Sequence, residues 1–251
     1  GNLATIHCEN LKKAISINIV NNTEFYFYIR GHIRKAFSND KLKIFIKILK
    51  QIFPNVKFIF QTWNHSECNK DNSWRKINPD DNLNVDKNRI EEYFNDANIT
   101  ENILIINENN ITFSGSTEGT IGFGPCPKTG WKNMWYGIYT GLDTYSNLIN
   151  NHHIVSFRYD YFELNETQNK KNMHLLTSQI ITFIKQNLKH NQIKFFTNDK
   201  SVGVDNLYMG KFDDIYRLTK EFNFKLDNIL IKNRKIYNQE FLVPIVANTL
   251  Y

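Results

Sequence analysis

The segment IVSFRYDYFE, residues 154–163, places three charged side chains at the end of an apolar run. The run predicts a buried strand, and Arg158, Asp160 and Glu163 follow at its carboxyl end. Because residues two apart on a strand point to the same side, Arg158 and Asp160 are expected to form an ion pair or to share a site. A carboxylate there could hold a divalent cation, which would neutralise a diphosphate. Asp160 is therefore the candidate metal ligand.

Cationic side chains also follow the first predicted strand, in the segment IRGHIR. Gly31 lets the backbone come close to a ligand, and Arg30 and Arg34 offer fork-shaped donors that suit phosphate oxygens. His32 lies between them. The alternative is that the arginines form surface ion pairs and that His32 is structural.

The second predicted strand ends in Thr62, Trp63 and Asn64, which are expected at the same edge as the first group. Trp63 is suited to stack on a base or a sugar, although a tryptophan at a strand end also packs in cores. The polar loop that follows contains Trp74 and Arg75, a pair less easily explained by core packing. These residues are candidates for binding a nucleotide or a sugar.

Two further candidates stand near glycine-rich turns. Lys132 lies in the first turn of a predicted helix, where it would bind phosphate or remain solvated. The loop before it contains neither a Walker A motif nor a dinucleotide fingerprint, which argues against an ATPase and a dinucleotide-binding enzyme. Asp205, in VGVDNLYMG, is a candidate base or ligand of an acceptor hydroxyl; the alternative is a turn or capping residue.

Strands and helices alternate along the chain, which predicts an α/β fold with a doubly wound, mostly parallel central sheet flanked by helices. In such sheets ligands bind beyond the carboxyl ends of the strands, so the candidate residues should converge on one cleft. The segment 204–222 is predicted to begin as a turn and to continue as a helix. The predicted strands are 24–31, 56–63, 102–107, 153–160 and 192–197.

The length of 251 residues and a hydrophobic content of 41% predict a single folded domain. Residues 1–22 are expected to form an N-terminal arm, and residues 216–251 a C-terminal helical tail. The chain begins with Gly rather than Met, so we expect it to be cut from a longer protein.

The net charge is +6, but the lysines are scattered among acidic residues. This pattern fits a basic cleft for a phosphorylated small ligand, and we expect no nucleic-acid partner. The three cysteines, Cys8, Cys68 and Cys126, are odd in number and far apart, which favours a reducing compartment over a disulfide framework or a zinc site. No apolar run is long enough to span a membrane, and no signal peptide is visible. A cytoplasmic location is expected.

Taken in order, the segments IRGHIRKAF, IFQTWN, SWR, GWKNMWYGIY, FRYDYF and VDNLYMG resemble a group of glycosyltransferases of bacterial surface-polysaccharide loci, algae and large DNA viruses. The resemblance covers roughly residues 25–215. It implies a GT-A-like (Rossmann-like) domain that transfers a sugar from a UDP-, GDP- or TDP-linked donor to a glycan or another hydroxyl acceptor. For a viral protein, the location would be the host cytoplasm.

The family's metal-binding Asp-x-Asp motif falls on Arg158-Tyr159-Asp160, where the first acid is an arginine. The resemblance implies Mn²⁺ or Mg²⁺ at Asp160, and the arginine leaves open whether its guanidinium takes over part of the metal's role. By the same resemblance Arg30–Arg34 face the nucleotide, and Asp205 faces the acceptor as a base.

Two alternatives stay open. One is another nucleotide-processing α/β enzyme, such as a phosphatase or a nucleotidyltransferase, which would need clustered carboxylates for two metals. The other is a catalytically degenerate module that binds a glycan or a nucleotide.

Overall fold

A computed structural model describes residues 22–68, 73, 78–121, 124–162, 173–196, 204–236 and 239–251 of the chain. The predicted N-terminal arm lies outside these residues except for Asn22. Three candidate residues, Trp74, Arg75 and Glu163, also lie outside them.

The described residues form one six-stranded sheet with the order β3-β2-β1-β4-β6-β5. β1 pairs in parallel with β2 and β4, and β2 pairs in parallel with β3. β6 is antiparallel to both of its neighbours, β4 and β5. The strands are β1 (Phe25–Arg30), β2 (Val56–Trp63), β3 (Asn102–Ile106), β4 (His153–Arg158), β5 (Lys194–Phe195) and β6 (Leu207–Lys211).

Helices cover both faces of this sheet. One face packs against α1, α2 and α5, and the other against α3, α4, α6 and α7. Among the described residues, no helix has the length and apolar character that a membrane crossing requires. The helices are α1 (Lys41–Ile52), α2 (Lys87–Phe94), α3 (Lys128–Thr144), α4 (Ser146–Ile149), α5 (Met173–Asn187), α6 (Phe212–Lys232) and α7 (Leu242–Asn248).

The sequence of β1 explains how two layers form around one strand. All six of its residues are buried. Phe25 and Phe27 belong to the core under α1, whereas Tyr26 and Tyr28 belong to the core under α3 and α6. Because side chains alternate across a strand, an uninterrupted apolar run is what a strand covered on both faces requires.

The predicted α/β class, with a mostly parallel central sheet flanked by helices, is confirmed, and the strand order is compatible with a Rossmann-like fold. One element differs from the prediction. Leu207–Lys211 is a strand, where the sequence predicts a turn that leads into a helix. Its first four residues are buried, and Ile193 lies against Gly210, where a larger side chain would need room. So short a segment does not distinguish a buried strand from a helical turn, and the pattern alone could not identify it.

The strand order reverses between β1 and β4. From β1 the chain proceeds to β2 and β3 on one side, whereas β4 lies on the other side of β1. In the register of this pair, Arg30 stands beside Arg158. Open parallel sheets bind ligands at such a topological switch point, beyond the carboxyl ends of the strands.

Candidate functional site

Arg30 ends β1 with a guanidinium that is buried without an acidic partner. Its side chain is 1% exposed. Nε donates to Ser156 Oγ at 2.9 Å, and Nη2 donates to the backbone carbonyl of Asp205. The guanidinium carbon lies 5.5 Å from the centre of the Tyr208 ring. Nη1 has no hydrogen-bond partner, and among the described residues no carboxylate forms an ion pair with Arg30. A buried cation with only neutral partners favours an anionic ligand.

Asp160 holds two arginines together. Arg158 binds it in a bidentate manner, with Nε 3.0 Å from Oδ1 and Nη2 2.8 Å from Oδ2. Arg34 Nη1 donates to the same Oδ2. Burial acts to lower the pKa of Arg158, but the carboxylates of Asp160 and Asp205 outweigh it and raise that pKa, so the arginine stays charged.

This arrangement does not fit a metal ligand. Both oxygens of Asp160 accept hydrogen bonds from guanidinium groups, which occupy the positions that a cation would take. In the part of the chain that the structure describes, no three His, Cys, Asp or Glu side chains lie where they could hold a metal ion. The acid of the predicted motif therefore binds arginine in this structure.

Asp205 reaches the same edge because β6 is antiparallel. The strand begins beside the carboxyl end of β4, where the Arg158 N–H donates to the Asn206 carbonyl at 3.2 Å. The Asp205 side chain is buried, with Oδ2 3.8 Å from Arg158 Nη1 and Oδ1 without a hydrogen-bond partner. Asn206 Oδ1 accepts from Arg158 Nη1 at 2.7 Å. One carboxylate oxygen of Asp205 is thus available to a donor.

His32 forms a pair with Glu108, a residue that the sequence analysis did not select. The two side chains meet at 2.7 Å between Nε2 and Oε1, and Asn133 Nδ2 donates to the same oxygen at 3.0 Å. Burial lowers the pKa of His32 although Glu108 opposes this effect. Burial alone would raise the pKa of Glu108, but its bonds to His32 and Asn133 lower it overall. At neutral pH an uncharged imidazole therefore donates to a carboxylate.

Several of these groups line a cavity of about 130 Å³ at the carboxyl ends of β1 and β4. It lies on the α3 side of the sheet, and residues from α3 form part of its wall. The candidate residues that line it are Arg30, Gly31, His32, Arg34, Trp63, Arg158 and Asp205. Gly31 has a φ of +100°, a left-handed value that turns the chain away from the strand and into this wall.

Trp63 contributes to the wall but is 1% exposed. Its ring stacks on His32, with ring centres 5.5 Å apart, and it lies 6.5 Å from the ring of Tyr136. In this arrangement Trp63 supports His32 and has no free face for a base.

Three other candidates lie away from the cavity. Thr62 is fully buried and belongs to the face of β2 that also carries Phe58 and Phe60. Asn64 joins the ends of β2 and β3, because its Oδ1 accepts from the Glu108 N–H at 3.1 Å. Lys132 donates to the Ser114 carbonyl and lies 3.3 Å from Asp227 Oδ2, so it fastens the glycine-rich loop to α6.

Sequence reasoning could have found Glu108. It stands two residues after the end of β3, and the rule that selects residues at the ends of the other strands applies equally there. Asn133, by contrast, lies within helix α3, where the strand-end rule does not apply. Only the packing of α3 against β2 brings it to the cavity.

Comparisons of this chain with protein-family models, with curated proteins and with solved structures find no match. The geometry therefore carries the functional argument.

Proposed function

We propose that this chain is a glycosyltransferase that moves a sugar from a nucleotide-diphosphate sugar to a hydroxyl group of a glycan or another acceptor, in the cytoplasm. One observation carries the proposal. A single cavity at the switch point contains a buried guanidinium with an unused N–H, on Arg30, and a buried carboxylate with an unused oxygen, on Asp205. The first suits the diphosphate of a donor, and the second suits the hydroxyl of an acceptor.

Each of these groups has a role in the transfer of the sugar. The bond between the sugar's anomeric carbon and the diphosphate oxygen breaks, and its electron pair remains on the diphosphate. Arg30 and Arg158 stabilise the negative charge that develops there. The acceptor oxygen forms the new bond to the anomeric carbon, and its proton passes to a base. Asp205 accepts a hydrogen bond from this hydroxyl or takes the proton itself.

The size of the cavity limits what it holds. At about 130 Å³ it is smaller than the roughly 300–1,000 Å³ of typical ligand pockets. We assign it to the part of the donor where the bond breaks, the diphosphate and the anomeric carbon, and we place the nucleoside and the rest of the sugar outside it.

A second candidate is a binding module that has lost catalysis. The observation that favours it is the engagement of Asp160 by Arg34 and Arg158, where the resembling transferases have a metal-binding acid. Such a module would bind the same nucleotide sugars without turnover. An enzyme that uses two metals has less support, because the described residues contain no cluster of ligating side chains.

The test is a thermal-shift panel of UDP-, GDP-, TDP- and CMP-linked sugars, measured with Mn²⁺ and with EDTA. A ligand at a hundred times its Kd stabilises the native state by about 2.7 kcal/mol, so binding must raise Tm. We expect at least one donor to do so equally in Mn²⁺ and in EDTA. Arg30→Gln should abolish the shift, whereas Arg217→Gln, at a half-exposed arginine on α6, should preserve it.

Asp205→Asn should preserve the shift and lower the rate of sugar transfer. The absence of a shift with every donor would contradict the proposal. A shift without transfer in the wild-type chain would favour the non-catalytic module.

A further inference from the structure

The transfer reaction must remove a proton from the acceptor hydroxyl, and the pair formed by His32 and Glu108 contains a group that can receive it. We propose that His32, oriented by Glu108, takes the proton of the acceptor hydroxyl, while Asp205 holds that hydroxyl by a hydrogen bond. This inference rests on the proposed function and selects between the two roles left to Asp205.

The imidazole ring of His32 is fixed in orientation. Glu108 Oε1 lies 2.7 Å from Nε2 along one edge, and Trp63 stacks on one face with an angle of 17° between the planes. Glu108 is itself held, because its Oε1 accepts from Asn133 Nδ2 and its backbone N–H donates to Asn64 Oδ1. A proton acceptor needs such positioning to meet its substrate in the correct geometry.

The contact with Glu108 also selects the tautomer. A carboxylate only accepts hydrogen bonds, so Nε2 of the neutral ring carries the proton and Nδ1 carries the lone pair. In the contacts of the described residues, nothing donates to Nδ1. Because His32 lines the cavity, as Asp205 does, this lone pair is a second basic group beside the Asp205 carboxylate for a ligand there.

The charges around His32 suit a base that is neutral before the reaction. Glu108, from the end of β3, and Asp160, from the turn after β4, raise its pKa; Arg34, from its own loop, lowers it. Burial dominates and keeps the pKa low, so the ring is uncharged at neutral pH. Once protonated, the imidazolium lies against the Glu108 carboxylate, which stabilises the added charge.

Proton transfer then balances in a simple way. The acceptor O–H bond breaks as Nδ1–H forms, and the acceptor oxygen bonds to the anomeric carbon as the diphosphate leaves with its electron pair. The proton on His32 passes to solvent after the products depart. An imidazole is intrinsically a stronger base than a carboxylate, with a reference pKa of about 6.5 against about 3.9, which places it nearer the working pH.

The variants that test this assignment are His32→Gln and Glu108→Gln. Their matched controls are His190→Gln and Glu101→Gln, at exposed residues outside the cavity. We expect His32→Gln to lower kcat by about 10²–10⁴-fold, the usual contribution of a general base, with the Kd of the donor unchanged. Asp205→Asn should instead raise the KM of the acceptor more than it lowers kcat.

The pH profile separates catalysis from mere support of the fold. In Glu108→Gln the carboxylate that raises the pKa of His32 is gone, so the acid limb of kcat/KM should move to lower pH. A structural role would lower activity without moving this limb, and that result would overturn the assignment. A nitrogen-15 NMR spectrum that shows the Nδ1–H tautomer at neutral pH would also overturn it.

The failures of the two proposals are distinguishable. If the wild-type chain transfers sugar and His32→Gln keeps both the rate and the acid limb, the proposed function stands and this inference falls. If the wild-type chain transfers no sugar from any donor, both fall. Should His32→Gln fail to fold, the acid limb of Glu108→Gln still decides.

Discussion

Asp160 illustrates how one residue type serves different chemistry in different surroundings. A carboxylate at a strand end is a natural metal ligand when water or other acids surround it. Here it is 1% exposed and lies between the guanidinium groups of Arg34 and Arg158. Its charge is therefore used to position two cations, and Arg158 rather than Asp160 lines the cavity. Arg34 and Arg158 thus bring positive charge to the cavity.

Asp160→Asn is predicted to destabilise the fold as well as the activity. From the sequence alone we expect this variant to lose turnover and keep its fold. The structure changes this expectation, since removing one partner of a buried ion pair costs about 3–5 kcal/mol. Urea unfolding should show a loss of this order. Asp81→Asn, which removes a more exposed pair with Lys35, should cost about 1 kcal/mol or less. An unfolding free energy equal to that of the wild type would contradict the conclusion that Asp160 holds Arg34 and Arg158 together.

The outcome for individual residues follows from the physical basis of each prediction. The strand-end rule places Arg30 and Arg158 at one edge, because the direction of a parallel strand determines that edge. Asp205 is selected from a predicted turn instead, and the antiparallel β6 brings it to the same cavity. The same rule does not reveal that Trp63 lines the cavity whereas its neighbour Thr62 does not. The two side chains lie on opposite faces of β2. Deciding which face carries the cavity requires the position of α3, and sequence periodicity does not supply it.

At the scale of elements, the direction of β6 determines the site. A parallel strand in its place would begin at the opposite edge of the sheet and would carry Asp205 away from Arg158. Because β6 is antiparallel, its first residues meet the carboxyl end of β4. The uncharged residues 207–210 are buried, but strand direction depends on the connection before them, which no local pattern reveals.

Helix α3 forms one wall of the cavity and packs unusually close to the sheet. Gly137 and Gly141 allow this close approach because they have no side chain. A Cβ at Gly141 would lie 2.1 Å from the Tyr28 hydroxyl, and one at Gly137 would lie 2.9 Å from Trp63. The Tyr28 hydroxyl donates to the carbonyl of Ile138 at 3.0 Å. Two glycines within a helix cost helix stability, so their presence favours a packing role.

Gly141→Ala is predicted to destabilise the protein although alanine is the better helix former. Helix propensity would contribute about 1 kcal/mol in favour of alanine. Forcing a methyl group against Tyr28 costs about 1–3 kcal/mol, so the net change should be a loss. Thermal unfolding measures it. The double variant with Tyr28→Phe removes the nearest clashing atom and should recover part of the loss. If Gly141→Ala raises Tm, the close packing of α3 described here is wrong.

At the scale of the whole molecule, charge is distributed in two ways. The net charge of +6 comes from lysines and arginines spread over the chain, whereas the cations at the switch point are few. Arg30 is buried there, and the side chains of Arg34 and Arg158 are 13% and 20% exposed. Exposed charges attract any polyanion weakly and are screened by salt. Buried guanidinium groups act at short range inside a shaped cavity and depend far less on ionic strength.

Salt dependence should therefore distinguish the cavity from the surface. We predict that the affinity for the best nucleotide-sugar donor changes little as salt rises from about 50 to 200 mM, because Arg30 is buried and the Arg158 side chain is only 20% exposed. A protein that makes 6–10 phosphate contacts with DNA loses about 10³–10⁵ in affinity over the same range. Isothermal titration of the donor and fluorescence anisotropy with a DNA oligonucleotide, run in parallel, measure both. A donor affinity that falls as steeply as DNA binding does would assign the binding to surface lysines, since the Arg30 guanidinium is already shielded from the salt by the protein around it.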